Sequence, residues 1–393
     1  MGRAVALSSL LAMSLMTVAC HQFPTPKLTN DLERQGQKVF RDDTFGDEQF
    51  WTDTAGLNKV VEHQVPPLKA LALGLKVDLG RLNIAKFLLH NPFGVGGTKE
   101  LLRENAVVGV RATVDKNGHI TRIGITCALC HSTVDNSFSP GIGHRLDGWP
   151  NRDLKVGEIL AMLPYFTEQQ KAVLRTWPTG TYDPRFNFDG KSTPLVLPPA
   201  YGLANVENET YTAEGPISYW NNYVAVTQMH GHGNFSDPRL GVNIVQTPDM
   251  VTDKLAALRV YQHSLPAPKA PGAYYDRGAA NRGKAVFNAN CAQCHINGNL
   301  TDNNSVRTAG AAVGTPGVLH RPEETGMDPT YAERTTQKAY RTTPLRGLWQ
   351  HAPYFHDGSA KTLDDVVAHY DRVRNLHLTR GQKHDLVQFL KTL

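Results

Sequence analysis

Apolar and polar positions along this chain change period several times, and each change predicts an element. Apolar residues recur at helical spacing through Asp31–Phe40 and again through Leu68–Leu89, so both stretches read as helices with one buried face. Asn91–Thr98 is Gly-rich and reads as a break. Val107–Ile125 alternates apolar and polar residues around Lys116-Asn117-Gly118, which predicts a β-hairpin. The string NRGKAVFNAN before Cys291 reads as an amphipathic helix. Thr362–Tyr370 and Thr379–Leu393 read as two more, the last with Thr379 as N-cap. The Pro-rich string HSLPAPKAPGAYYD (263–276) reads as a linker between domains. The remainder is loop-rich, so the fold class expected is mainly α with one small hairpin.

The start of the chain departs from these patterns. MGRAVALSSLLAMSLMTVAC carries Arg3, an apolar run from Ala4 to Val18, and a small-residue end at Ala19-Cys20. Residues 1–20 therefore read as an export signal, too short for a spanning helix. Cys20 is a candidate lipid tether, although Thr17 stands where such sites usually carry Leu. The expected location is the periplasm, soluble or lipid-anchored. Residues 21–30 read as a flexible linker. At 393 residues the chain has room for two or three domains. A net charge of +5 is only mildly basic and gives no reason to expect a nucleic-acid partner.

Two short strings carry the chemistry: CALCH at Cys127–His131 and CAQCH at Cys291–His295. Each is a C-x-x-C-H, the attachment signature of a c-type haem. Cys127, Cys130, Cys291 and Cys294 would form thioethers to the porphyrin vinyl groups. His131 and His295 would bind iron from the proximal side. A zinc ribbon wants its two pairs about 15–20 residues apart; these start at 127 and 291. A thioredoxin-like pair or a disulfide leaves the repeated His unexplained. The organisation expected is a 1–20 signal, a helical extension at 21–100, an N-terminal haem domain at 101–262, a linker at 263–276, and a C-terminal haem domain at 277–393. Two covalent haems are the expected cofactors.

The stretch TTPLRGLWQHAPYFHDGSAKTLDDVVAHY (Thr342–Tyr370) resembles the segment after the second haem motif in bacterial di-haem cytochrome c peroxidases and the related MauG proteins. GIGHRLDGWPNRD (Gly141–Asp153) is similar to the segment after their first motif. Residues 21–100 and the region around 155–190 look like additions, an enlargement similar to that of the rubber-oxygenase relatives. The resemblance implies two cytochrome c-like domains with their haems facing each other. It implies that His131 serves a peroxide-reacting haem and His295 an electron-transfer haem.

The same resemblance implies further roles. His144 matches a His that caps the reactive iron at rest and leaves on activation; a loop or propionate-bonding His is the alternative. Tyr370 matches the sixth ligand of the second haem in MauG-type proteins, with His369 and Met327 as alternatives. A phenolate is a hard, anionic donor that favours oxidised iron. Gln228 matches the distal polar residue that orients peroxide. His230 and His232 are candidate bases in the same loop, and Glu207, Glu209 and Glu214 stand close by in sequence. Trp220 and Tyr211 are candidate electron relays that read more readily as core aromatics. Asn151, Thr342 and Pro344 match positions that hold calcium.

The leading functional expectation is an exported di-haem c-type oxidoreductase that reduces hydrogen peroxide with electrons from a small redox protein. One alternative is oxidation of an organic or protein substrate, as in MauG and the rubber oxygenases. Another is a di-haem electron carrier without catalysis. A homodimer is compatible with each.

Overall fold

A computed structural model describes residues 28–296, 298–303 and 317–393. The expected export signal, Cys20 and most of the 21–30 linker lie outside the described residues. No helix among the described residues is long and apolar enough to cross a membrane.

Helix α1 (Asp31–Asp42) opens on Asn30, whose side chain accepts from the Glu33 N–H at 2.9 Å. Its buried face packs against the helix Leu255–Ser264. Gly36 makes that approach possible: a Cβ there would lie 2.0 Å from the Ala257 carbonyl oxygen. Phe40 and Phe45 then enter one core with Ala128, Tyr201, Trp220 and Tyr261. Residues of the expected 21–100 extension therefore share a core with Ala128 of the first motif.

The expected helix over Leu68–Leu89 is replaced by three pieces. After α2 (Leu57–Gln64) come α3 (Pro67–Ala72), strand β1 (Val77–Asp78) and α4 (Ile84–Leu89). Gly74, at φ 87, turns the chain against the Asp153 carbonyl, and Val77 pairs in parallel with Ile142. Helical apolar spacing loses here to a turn that a distant backbone requires. The expected break at Asn91–Thr98 holds over Asn91–Gly94 but ends early: α5 spans Val95–Arg103 and contains Gly96 and Gly97. A Cβ on Gly97 would lie 2.9 Å from Pro92 Cα, so the glycine serves close packing rather than a break.

The hairpin forms where the alternation places it. Strands β2 (Val110–Val114) and β3 (Ile120–Ile125) are antiparallel, with Val110 opposite Ile125. Asp115 ties the turn by accepting from the Asn117 and His119 N–H groups at 2.9 and 2.8 Å. Val110, Ile120 and Ile123 pack on Leu101 and Leu102 of α5. The short helix α6 (Ala128–His131) carries the first motif and runs into β4 (Ser132–Val134). After β5 (Ile142–Gly143), β6 (Arg145–Asp147) pairs antiparallel with β4.

In the C-terminal part the helix Arg277–Asn290 precedes the second motif and packs along Arg380–Leu390; Leu363–Val373 completes the group. Asp276, Thr362 and Thr379 cap these three helices with their side chains. Phe287, Leu348, Val367 and Leu386 fill the core between them. The fold is thus mixed rather than mainly α. Helices dominate, but the described residues also form six two-stranded sheets of short strands. The two parts are tied by bonds such as Val196 N–H to the His356 carbonyl at 2.8 Å and Arg152 Nη2–H to His351 Nδ1 at 3.3 Å.

Candidate haem sites

The two C-x-x-C-H strings share one feature, a His Nδ1 set against a backbone carbonyl. His131 Nδ1 lies 3.1 Å from the Pro198 carbonyl oxygen, and His295 Nδ1 lies 2.9 Å from that of Leu300. A carbonyl only accepts, so each Nδ1 carries the proton and each Nε2 keeps a lone pair for a metal. Burial lowers both imidazoles, His131 to about 4 with Arg152 adding to the effect. Neutral imidazole is the metal-binding form. Burial also pushes the Cys127 and Cys130 thiols up to about 12, and Cys291 to about 11.

A cavity of 240 Å³ lies beside the second motif. Cys291, Cys294 and His295 form part of its wall, with Tyr370, Met327 and Phe355 also lining it. Burial pushes the Tyr370 phenol up to about 12. Of the three sixth-ligand alternatives, Tyr370 and Met327 share this cavity. His369 is not part of its lining: its Nε2 is 2.8 Å from the Thr325 carbonyl and its ring packs on Phe355.

Gln228 ends a π-helical turn at Val224–Gln228 and is buried. The Tyr182 hydroxyl donates to its Oε1 at 2.5 Å, while Nε2 donates to Asn187 Oδ1 at 3.2 Å and Thr227 Oγ1 at 2.9 Å. Burial raises the Tyr182 phenol, and the Cys130 thiol is near enough to raise it further. Tyr182 therefore fixes the amide of Gln228 from the oxygen side. Sequence reasoning had no signal for it: TYDPRF carries neither a motif nor a period.

The other candidates scatter. His230 stacks on Phe50 at 3.6 Å between ring centres and is lowered to about 4 by burial. His232 Nδ1 is 2.6 Å from the Pro248 carbonyl. Neither joins the Tyr182–Gln228 group. His144 is exposed, one position beyond the Val134–Arg145 pair of the hairpin stem. Trp220 is buried among Tyr219 and Tyr223 with its Nε1 unpaired, and Tyr211 donates to the Val196 carbonyl at 3.1 Å and lines the second cavity. Glu209 pairs with Arg341 at 3.2 Å, Glu214 pairs with Arg185, and Glu207 is half-buried. Asn151 Nδ2 donates to the Gly74 carbonyl at 3.0 Å and its Oδ1 is unpaired. Thr342 and Pro344 instead line the second cavity, where the Thr342 carbonyl already accepts from Thr301 Oγ1 at 2.6 Å. The cluster of His, Cys and acidic groups found among the described residues is a different one, Cys294, Asp302 and His320.

Sequence reasoning also missed two arginines. Arg341 lines the second cavity, with its Nε buried and unpartnered. Arg152, next to the first motif, has Nε and Nη1 in the same state. Buried donors without acceptors are costly, and they suit an anionic group such as a haem carboxylate. Thiols, oriented imidazoles, apolar walls and free guanidinium donors together fit haem c.

Residues 339–376, which cover much of that cavity wall, match the RoxA-like, cytochrome c-like family model. The chain is 30% identical over 164 residues to the methylamine utilization protein MauG of Methylorubrum extorquens, covering 35% of this chain and 43% of that protein. The MauG of Methylophilus methylotrophus is 26% identical over 69% of this chain and 76% of its own length. These relatives are members of the di-haem peroxidase and MauG superfamily, which the chain resembles. The chain is also 34% identical over 104 residues to the cytochrome c551 peroxidase of Nitrosomonas europaea, or 26% of this chain and 30% of that protein. The chain thus spans less than half the length of the first and third of these relatives and about three quarters of the second.

Proposed function

We propose that this protein is an exported di-haem oxidoreductase that reduces hydrogen peroxide at the first motif, with electrons entering at the second. The observation that carries the reading is the repeated imidazole: His131 and His295 each spend Nδ1 on a carbonyl and keep Nε2 free. Bound haem supplies redox-active iron, so that peroxide, two electrons and two protons become two waters. Cys127 and Cys130 hold one haem and Cys291 and Cys294 the other, and Arg152 and Arg341 offer donors to haem carboxylates.

Gln228 cannot shuttle a proton, and it can meet peroxide only as an acceptor, through the second lone pair of its amide oxygen. Both of its amide hydrogens are spent on Asn187 and Thr227, and its oxygen faces Tyr182. Tyr182 keeps its proton because burial raises its phenol. Protons therefore do not come from this pair. A gate at His144 would require the exposed hairpin to move, and neither that gate nor calcium is needed here. A small redox protein is the electron donor, and Cys20 is the lipid tether if one exists.

A second reading is oxidation of an organic or protein substrate. Tyr370 in the second cavity favours it, since a phenolate ligand stabilises oxidised iron. The test is the optical and EPR spectrum of anaerobic protein, ferric and then half-reduced, before and after one equivalent of peroxide. Turnover by the half-reduced form alone supports the peroxidase. A ferric form that reacts and stays oxidised favours the second reading. If neither form responds, the protein is an electron carrier and both enzyme readings fail.

A further inference from the structure

Apart from the cavity beside the second motif, another, of 130 Å³, lies in the N-terminal part and exposes no polar surface. Val60 of α2, Leu71 of α3, Leu102 of α5 and Ile123 of β3 line it. From the first motif only Leu129 reaches it, so it sits apart from the two thiols and the imidazole. Two polar residues are among its walls, but both have spent their polar atoms elsewhere. Lys76 Nζ pairs with Asp153, and Thr98 Oγ1 donates to the Val65 carbonyl at 2.7 Å.

Close-packed interiors keep few voids larger than a water molecule. Water needs two to four polar partners to occupy one, and here none faces it. An apolar cavity of about 150 Å³ in another protein stays dry and takes up benzene or xenon. The covering element is also unusual. Helix α4 has no buried residue, and it sends Phe87 to the cavity wall while Leu88 and Leu89 stay 60% and 81% exposed. Phe93, just beyond it, is 77% exposed. The cavity thus has a short, apolar and lightly packed segment along one wall.

We propose that this cavity is a binding site for a small non-polar molecule without hydrogen-bonding groups, about the size of one benzene ring, admitted beneath α4. The inference is independent of the haem chemistry.

The test is calorimetric titration of the full-length holoprotein with benzene, with phenol as the polar comparison. Saturable one-to-one binding of benzene is expected, at least tenfold tighter than that of phenol, whose hydroxyl finds no partner. Ala70 also lines the cavity. Ala70→Leu should fill part of it and weaken benzene binding at least tenfold. Val60→Phe provides the same test should the first variant fail to fold. Leu89→Ser removes exposed apolar surface outside the lining and should leave the affinity unchanged. Benzene uptake that does not saturate, equal binding of phenol, or affinity lost in Leu89→Ser but kept in both filling variants overturns the proposal.

Discussion

Tyr182→Phe isolates the hydrogen bond that holds the Gln228 amide oxygen. The change removes one oxygen and leaves the ring in place. Gln228 Oε1 then loses the donor that stands 2.5 Å away, in a residue only 8% exposed. Removing one partner of a buried hydrogen bond costs about 1–3 kcal/mol, because the remaining acceptor stays desolvated. The amide is still held from the other side by Asn187 and Thr227, so the lower half of that range, about 1–2 kcal/mol, is expected. Urea unfolding of the holoprotein followed by far-ultraviolet circular dichroism measures it. Gln228→Leu and the double variant complete a cycle, and residues in direct contact should couple by about 0.5–3 kcal/mol. The same cycle applies to the rate of reaction with peroxide. If Tyr182 acts by orienting Gln228, each single variant slows the rate and the double is no slower than the worse single. Additivity within about 0.3 kcal/mol, in stability and in rate, would refute the reasoning.

Tyr370→Phe should alter the ferric spectrum and raise the reduction potential of one haem, whereas His369→Ala should leave both unchanged; a change with Met327→Ala instead assigns the ligand to sulfur. Burial, aided by Arg152, lowers His351 to about 3. Because that lies below the unfolded value of about 6.5, its contribution to stability is complete above pH 6.5 and is lost as pH falls toward 3. By pH 4 this amounts to about 3 kcal/mol, and thermal melts of His351→Gln should show a smaller acid loss than wild type. Gly36→Ala should cost about 1–3 kcal/mol by overpacking, since its Cβ would meet the Ala257 carbonyl; an unchanged melting temperature would show that α1 can shift.

Much of this protein is local, and local features were legible in the sequence. The C-x-x-C-H strings need only five consecutive residues. The Val107–Ile125 hairpin follows from a two-residue period and a turn, and the helix before Cys291 and the two C-terminal helices follow from apolar spacing and caps. The segment Thr342–Tyr370 carried enough of its own pattern to indicate the superfamily. The failures came where remote backbone intervened. Gly74 turns against Asp153 and splits the expected Leu68–Leu89 helix, and Gly97 packs inside a helix where a break was expected. The site residues outside the motifs divide in the same way. Tyr182 meets Gln228 across 46 positions, Arg152 meets His351 across 199, and Arg341 points an unpaired nitrogen from a wall that also holds Tyr370. Periodicity and motifs record what a residue does with neighbours a few positions away; which distant side chain completes its hydrogen bonds depends on how the helices and short strands pack, and only the tertiary structure decided that.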